Sequence, residues 1–132
     1  MSDLQRRELE RLGAEKYVLL TTFRRSGTAV PTPVWIAREG DELVLYSARD
    51  AGKVKRIRAG SDVEVTACDV RGAKTHGDTV RATARVLDET GSARAREAIA
   101  RKYGLFGRLA MLGSRLRGGT SRTVGIAVTL AG

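Results

Sequence analysis

The chain has 132 residues, 42% hydrophobic and 30% charged, with 24 Lys+Arg against 15 Asp+Glu and a formal charge of +9. This length and apolar content predict a single domain over 1–132 with its own core, and exclude a disordered chain. One cysteine, Cys68, and one histidine, His76, exclude an intrachain disulfide, a Cys/His zinc site and a catalytic triad on any histidine but His76.

Leu4, Leu9 and Leu12 lie among charges after Asp3, the expected N-cap, and predict a short amphipathic helix ending at Gly13. From Tyr17 to Phe23 the residues turn β-branched and aromatic, which predicts a strand, and Arg25-Ser26-Gly27 makes a hairpin turn. Val30 to Ile36 is the return strand, and Glu39-Gly40-Asp41 leads into a third strand, Glu42 to Ala48, completing a meander. Lys53 to Ala59 reads as a helix, with Asp50 as capping candidate and Gly60 as its stop. Val63 to Cys68 is a fourth strand, and Asp69 to Asp78, with two glycines, reads as a loop. Thr79 to Leu87 alternates Val80, Ala82, Ala84 and Val86 with Arg81, Thr83 and Arg85, a half-buried strand. Thr90 or Ser92 caps a helix running to about Tyr103, and a second helical stretch puts Leu105, Leu109, Leu112 and Leu116 on one stripe. Arg122 to Leu130 alternates as the last strand. The expected fold is mainly β with flanking helices, and its six antiparallel strands favour a barrel, since closure removes exposed edges.

The charge is unevenly placed. Residues 1–48 are neutral in sum, 49–58 carry +4, 59–89 carry −2 and 90–132 carry +7. Two basic segments suit anionic ligands or partners, and equally a solvated helix face beside a basic tail. No apolar run approaches the roughly 20 residues of a membrane span. The segment from Ser2 to Glu8 mixes both charge signs without the apolar stretch of a secretion signal, so a cytoplasmic protein is expected.

Pro31 and Pro33 stand two apart inside a strand pattern. Such residues direct their N–H positions to the same side, so one strand edge lacks donors and cannot pair normally. That edge would leave the backbone of Thr32 and Val34 for a flat polar ligand, or simply blunt an edge strand against aggregation. The second feature runs from Ser47 through Gly52, Lys53, Lys55 and Arg56 to Arg58. A strand end, a turn and a helix N-terminus with nearby cations make a phosphate site, because free N–H groups and the helix dipole both favour an anion. It is not a Walker A loop: Ser47 stands where its first glycine belongs, and Val54 where its magnesium-binding hydroxyl belongs.

Other candidates are weaker. A lone loop histidine such as His76 is commonly a surface residue, and Cys68 in a strand is commonly a small core residue. Asp88 and Glu89 are adjacent and make a poor acid/base pair, and no catalytic acid or metal set stands out. The basic stretch 104–119 could lie on a membrane surface, but Gly104, Gly107 and Gly113 weaken a free helix, so packing across the barrel or a subunit interface is expected. Six aromatic residues, mostly in core-like patterns, leave few platforms for stacking nucleic-acid bases.

The run from Lys16 to Trp35, with Thr21-Thr22-Phe23 and Pro31-Thr32-Pro33-Val34-Trp35, followed by Ser47, the segment 52–58 and Arg101-Lys102-Tyr103-Gly104, resembles the pyridoxamine-phosphate-oxidase-like split β-barrel superfamily. Within it, the chain is similar to the small deazaflavin-dependent oxidoreductases that use coenzyme F420. The resemblance implies an FMN-binding type of split barrel and a homodimer with the cofactor in a groove at the subunit interface. It puts the ring along Pro31, Thr32, Pro33 and Val34, and the phosphate at Ser47, Lys53 and Lys55 with Arg56 nearby. It further implies hydride transfer between reduced F420 and a small electron-poor organic substrate. The alternatives are FMN on the same fold, a cofactor carrier without turnover, and a nucleic-acid-binding barrel. The +7 of residues 90–132 could meet the acidic tail expected on F420.

Overall fold

The computed structural model describes residues 1–116 and 122–131, with the side chains of 105–116 outside the description. Helix α1 spans Asp3–Gly13. Its N-cap is Ser2 rather than Asp3: Ser2 Oγ accepts the Gln5 N–H at 3.1 Å, and Gln5 Oε1 accepts the Ser2 N–H at 2.9 Å. This reciprocal cap needs the two residues three apart, a spacing that Ser2 and Gln5 provide.

The strands are β1 (Tyr17–Phe23), β2 (Ala29–Val34), β3 (Ala37–Glu39), β4 (Glu42–Ala48), β5 (Asp62–Cys68), β6 (Thr75–Val86) and β7 (Thr123–Leu130), with α2 (Gly52–Ala59) after β4 and α3 (Glu89–Leu116) after β6. They form one antiparallel sheet in the order β2-β1-β5-β6-β7-β4-β3. The two edges, β2 and β3, follow each other in the chain with only Trp35 and Ile36 between them. Such a short link forces the sheet to curl until its edges approach at that point, so the sheet is a barrel split along one seam.

The fold class is the expected one, and the strands number seven because the strand foreseen from Val30 to Ile36 already ends at Val34 and a short further strand, β3, forms at Ala37–Glu39, beyond it. At Ile36 the backbone is claimed by side chains of α3: its N–H donates to Tyr103 Oη at 3.1 Å, and its carbonyl accepts from Lys102 Nζ at 2.5 Å. Strand β6 also starts earlier than the sequence suggests. Residues 75–78 belong to it, paired through Cys68↔Thr75 and Ala67↔His76, with a register shift between Val65 and Ala67. Gly77, at φ 75, is part of this irregular stretch and not of a loop, while Gly72, at φ 71, takes the turn before it.

The barrel interior is filled by one face of the strands other than β3, including Val18, Leu20, Leu43, Leu45, Val65 and Ile126, together with Leu9 and Leu12 of α1 and Val54 and Ile57 of α2. A second cluster lies outside the barrel, where Ala95 and Ile99 of α3 pack on Ala37, Val44 and Ala127. Strand β7 is therefore buried on both faces along most of its length. The expected helix break also appears: Gly104, at φ 62 and ψ −138, interrupts α3. The side chains of the leucine stripe of 105–116, and the glycines at 118–119, lie outside the described residues.

Close packing of α3 on β7 depends on Gly125, whose N–H donates to Ser92 Oγ at 2.8 Å. A Cβ at Gly125 would lie 2.8 Å from Ser92 Cα and 3.1 Å from Ala95 Cβ, so the helix would have to move. Gly125→Ala should lower stability by about 1–3 kcal/mol, the usual cost of overpacking, read as an earlier midpoint in urea-induced unfolding.

Candidate functional site

Strand β2 lies at a sheet edge with β1 as its one partner, in the register Thr22↔Val30, Leu20↔Thr32 and Val18↔Val34. Arg24 N–H donates to the Thr28 carbonyl at 2.9 Å, and alternation from that pair makes Val30, Thr32 and Val34 the positions bonded to β1. Proline could not have filled them. The backbone of Thr32 and Val34 is thus used inside the hairpin, contrary to expectation, and the bare outer edge presents the carbonyls of Pro31 and Pro33 with no N–H between them. Pro31 is exposed, while Thr32, Pro33 and Val34 are half-buried.

The cations of α2 separate by helical geometry. Lys53 and Arg56, three apart, share the inner face, where Lys53 Nζ donates to Ser47 Oγ at 3.2 Å and Arg56 Nε to Thr22 Oγ1 at 2.6 Å. Lys55 is exposed on another side, so the structure brings together Ser47, Lys53 and Arg56 and leaves Lys55 apart. Both hydroxyls are buried, Thr22 at 2% and Ser47 at 7% exposure. Among the described residues neither Lys53 nor Arg56 has a carboxylate within ion-pair distance. Burial lowers the Lys53 pKa below its ordinary value, and the Arg56 charge lowers it further.

The start of α2 strengthens this cationic character. Its N-cap is Ala51, with no side-chain cap and no acid in the first turn, so Asp50 does not take the capping role. A Cβ on Gly52 would lie 2.7 Å from Arg56 Nη1, which puts the guanidinium over the helix N-terminus. Two cations, two hydroxyls and an open helix N-terminus converge on one place, an arrangement suited to phosphate.

A second feature, not anticipated from sequence, holds the seam. Tyr103 Oη donates to the Lys16 carbonyl at 2.6 Å and accepts the Ile36 N–H. Its ring stacks on Trp35, with centroids 4.3 Å apart and planes 8° from parallel. The signals in the sequence were its place immediately before the helix-breaking Gly104 and within the Arg101–Gly104 stretch that shares in the family resemblance, neither of which gives it a role.

The remaining candidates have structural partners. His76 contacts the Glu15 carboxylate, Asp88 Oδ1 accepts the Gly91 N–H at 2.8 Å at the start of α3, and Glu89 lies 3.6 Å from the buried Arg96. Burial pushes the Cys68 thiol up, away from a reactive thiolate. Among the described residues, no cluster of His, Cys, Asp or Glu could hold a metal, and no helix is long and apolar enough to cross a membrane.

The family model for pyridoxamine 5'-phosphate oxidase matches residues 4–119. The chain belongs to this family. Its fold is shared with solved structures at low identity. An F420 reductase is 18% identical over 93% of each chain, with a TM-score of 0.64. A FAD-binding protein from Mesorhizobium loti is 15% identical over 100% of this chain and 90% of its own, at 0.62. The haem storage protein HutZ from Vibrio cholerae is 10% identical over 98% and 90%, at 0.65. No curated protein matches the chain significantly.

The seam has a pH signature. Burial pushes the Tyr103 phenol up from 10 to about 12, so the folded chain holds this proton more tightly than the unfolded one. Its contribution is whole below pH 10 and is lost as pH rises to about 12. Burial lowers Lys102 from 10.5 to about 8, with the opposite sense: its contribution is present above 10.5 and lost as pH falls through 8. Stability measured by urea unfolding should therefore rise between pH 8 and 10 and fall above 10. Tyr103→Phe should show a smaller alkaline fall, with a neutral-pH loss of about 1–3 kcal/mol from the groups left unpaired.

Proposed function

We propose that the chain is an F420-dependent oxidoreductase that transfers a hydride between reduced coenzyme F420 and a small electron-poor organic substrate. The observation that carries this reading, as far as a phosphorylated cofactor, is the pair Lys53 and Arg56, held by Ser47 and Thr22 and, among the described residues, without a carboxylate partner. Membership of the pyridoxamine 5'-phosphate oxidase family and the sequence resemblance to deazaflavin enzymes support it. The donor set fits the phosphate of such a cofactor: the charged donors of Lys53 and Arg56 line the cradle, held by hydroxyls that accept from them, and like charges at half-burial are relieved by an anion.

When bound, the cofactor supplies the hydride chemistry, and the protein's task is positioning and exclusion of water. Lys53 and Arg56 neutralise the phosphate and fix one end. The edge of β2, Pro31 through Val34, offers a flat strip with outward carbonyls for a planar ring. We further propose that the chain acts as one domain in a cytoplasmic homodimer, in which each copy covers the other's groove. The half-buried Leu19 and Pro33, on the outer face of the β1–β2 hairpin, suit such a contact. FMN is the second reading, because the cradle recognises phosphate and a planar ring without distinguishing the two cofactors.

Titration of the protein with F420, FMN and an oligonucleotide at several salt concentrations, followed by fluorescence, discriminates these readings. F420 should bind best, and tight FMN binding without F420 binding overturns the preference. Lys53→Ala and Arg56→Ala should each weaken binding by about 1–3 kcal/mol, the scale of hydrogen bonds to charged groups. Lys55→Ala should change affinity little, and unchanged affinity in both Lys53→Ala and Arg56→Ala rejects the cradle.

A further inference from the structure

At the other end of β1 from the cradle, a cavity of about 680 Å³ opens between the end of α1, Tyr17, Trp35 and the turn of α3 that carries Lys102 and Tyr103. Small-molecule sites occupy roughly 300–1,000 Å³. Tyr17 and Thr22 are five residues apart on β1, so about 17 Å of strand separates this cavity from the Arg56 contact. The two sites are distinct and share one hairpin.

Two properties give the cavity a chemical preference. Its wall is the stacked pair Trp35 and Tyr103, fixed in place by the hydrogen bonds of the Tyr103 hydroxyl to Lys16 and Ile36, with Tyr17 beside it. A rigid aromatic wall favours a planar aromatic guest. The cations Lys16 and Lys102 line the same space, and neither has a carboxylate within ion-pair distance among the described residues. Glu15, adjacent in sequence to Lys16, pairs with His76.

Lys102 also excludes one class of ligand. Its ammonium sits 5.1 Å from the Tyr103 ring centroid and donates to the carbonyls of Glu15 and Ile36, which uses two of its three N–H groups. The position that a cationic guest would take against this ring and these carbonyls is already filled. A guest with negative charge would meet two cations here, since Glu15, whose charge also acts on Lys102, is already engaged by His76.

We infer that this cavity binds a planar aromatic carboxylate, with its ring against Trp35 and Tyr103 and its carboxylate between Lys16 and Lys102. The inference rests on the oxidoreductase reading only in making such a compound the substrate class; binding itself is measurable without cofactor.

Trp35 is the sole tryptophan, so its emission reports the cavity directly. Naphthoate should quench it saturably, and naphthylmethylammonium, of similar shape and opposite charge, should bind at least about tenfold more weakly. Lys16→Gln and Lys102→Gln should each weaken naphthoate binding by about three- to tenfold, as expected for loss of a charge-assisted contact. Lys16 is exposed, so its variant keeps the test valid even if Lys102→Gln fails to fold. Absence of saturable quenching, equal or tighter binding of the cation, or full affinity in Lys16→Gln overturns the inference. Lys53→Ala should bind naphthoate within about twofold of the parent protein, so failure at the phosphate cradle is separable from failure here.

Discussion

The joining of the two sheet edges by Trp35 and Ile36 governs the rest of this structure. A sheet whose two edge strands are joined by so short a link cannot be flat, and because β2 and β3 do not pair, the break must be stabilised by something other than strand pairing. Tyr103 and Lys102 do so from α3, satisfying the backbone of Ile36 at 0% exposure, where unpaired polar groups would be costly. The same contacts fix the Trp35 ring and the direction in which the chain leaves β2. One phenol and one ammonium thus connect the outer helix to the barrel seam and to the cavity beside it.

The hydrophobic patterns made most elements legible. The β-branched and aromatic run over Tyr17–Phe23, the alternation over Thr123–Leu130, the turn at Gly40 and the break at Gly104 all reflect local chemistry, and strands, turn and break form there. What stayed hidden was set by distant partners. The interruption at Trp35–Ile36 is imposed by side chains 66 and 67 residues away, and no local pattern can announce it. The early start of β6 was masked because Gly77 in an irregular strand looks like Gly77 in a loop.

For the candidate site, the sequence singled out two segments without resolving their directions. Helical periodicity separates Lys55 from Lys53 and Arg56 once the inner face is known, and that face is revealed by burial of Val54 and Ile57. The contribution of Thr22 could not be read, since a strand hydroxyl 34 residues from Arg56 looks like any other threonine. The donorless edge was correctly inferred from Pro31 and Pro33, but the hairpin register decides which residues keep their backbone groups for β1.

Those prolines have a consequence for folding as well as for binding. A split barrel must leave a strand edge uncovered if a ligand is to lie along it, yet an uncovered edge is also a template for another chain. An incoming strand at β2 would meet carbonyls but find the N–H groups missing at Pro31 and Pro33, so the ladder could not propagate. The edge can therefore stay uncovered without inviting a further strand, a selectivity set in the backbone before any side chain is considered.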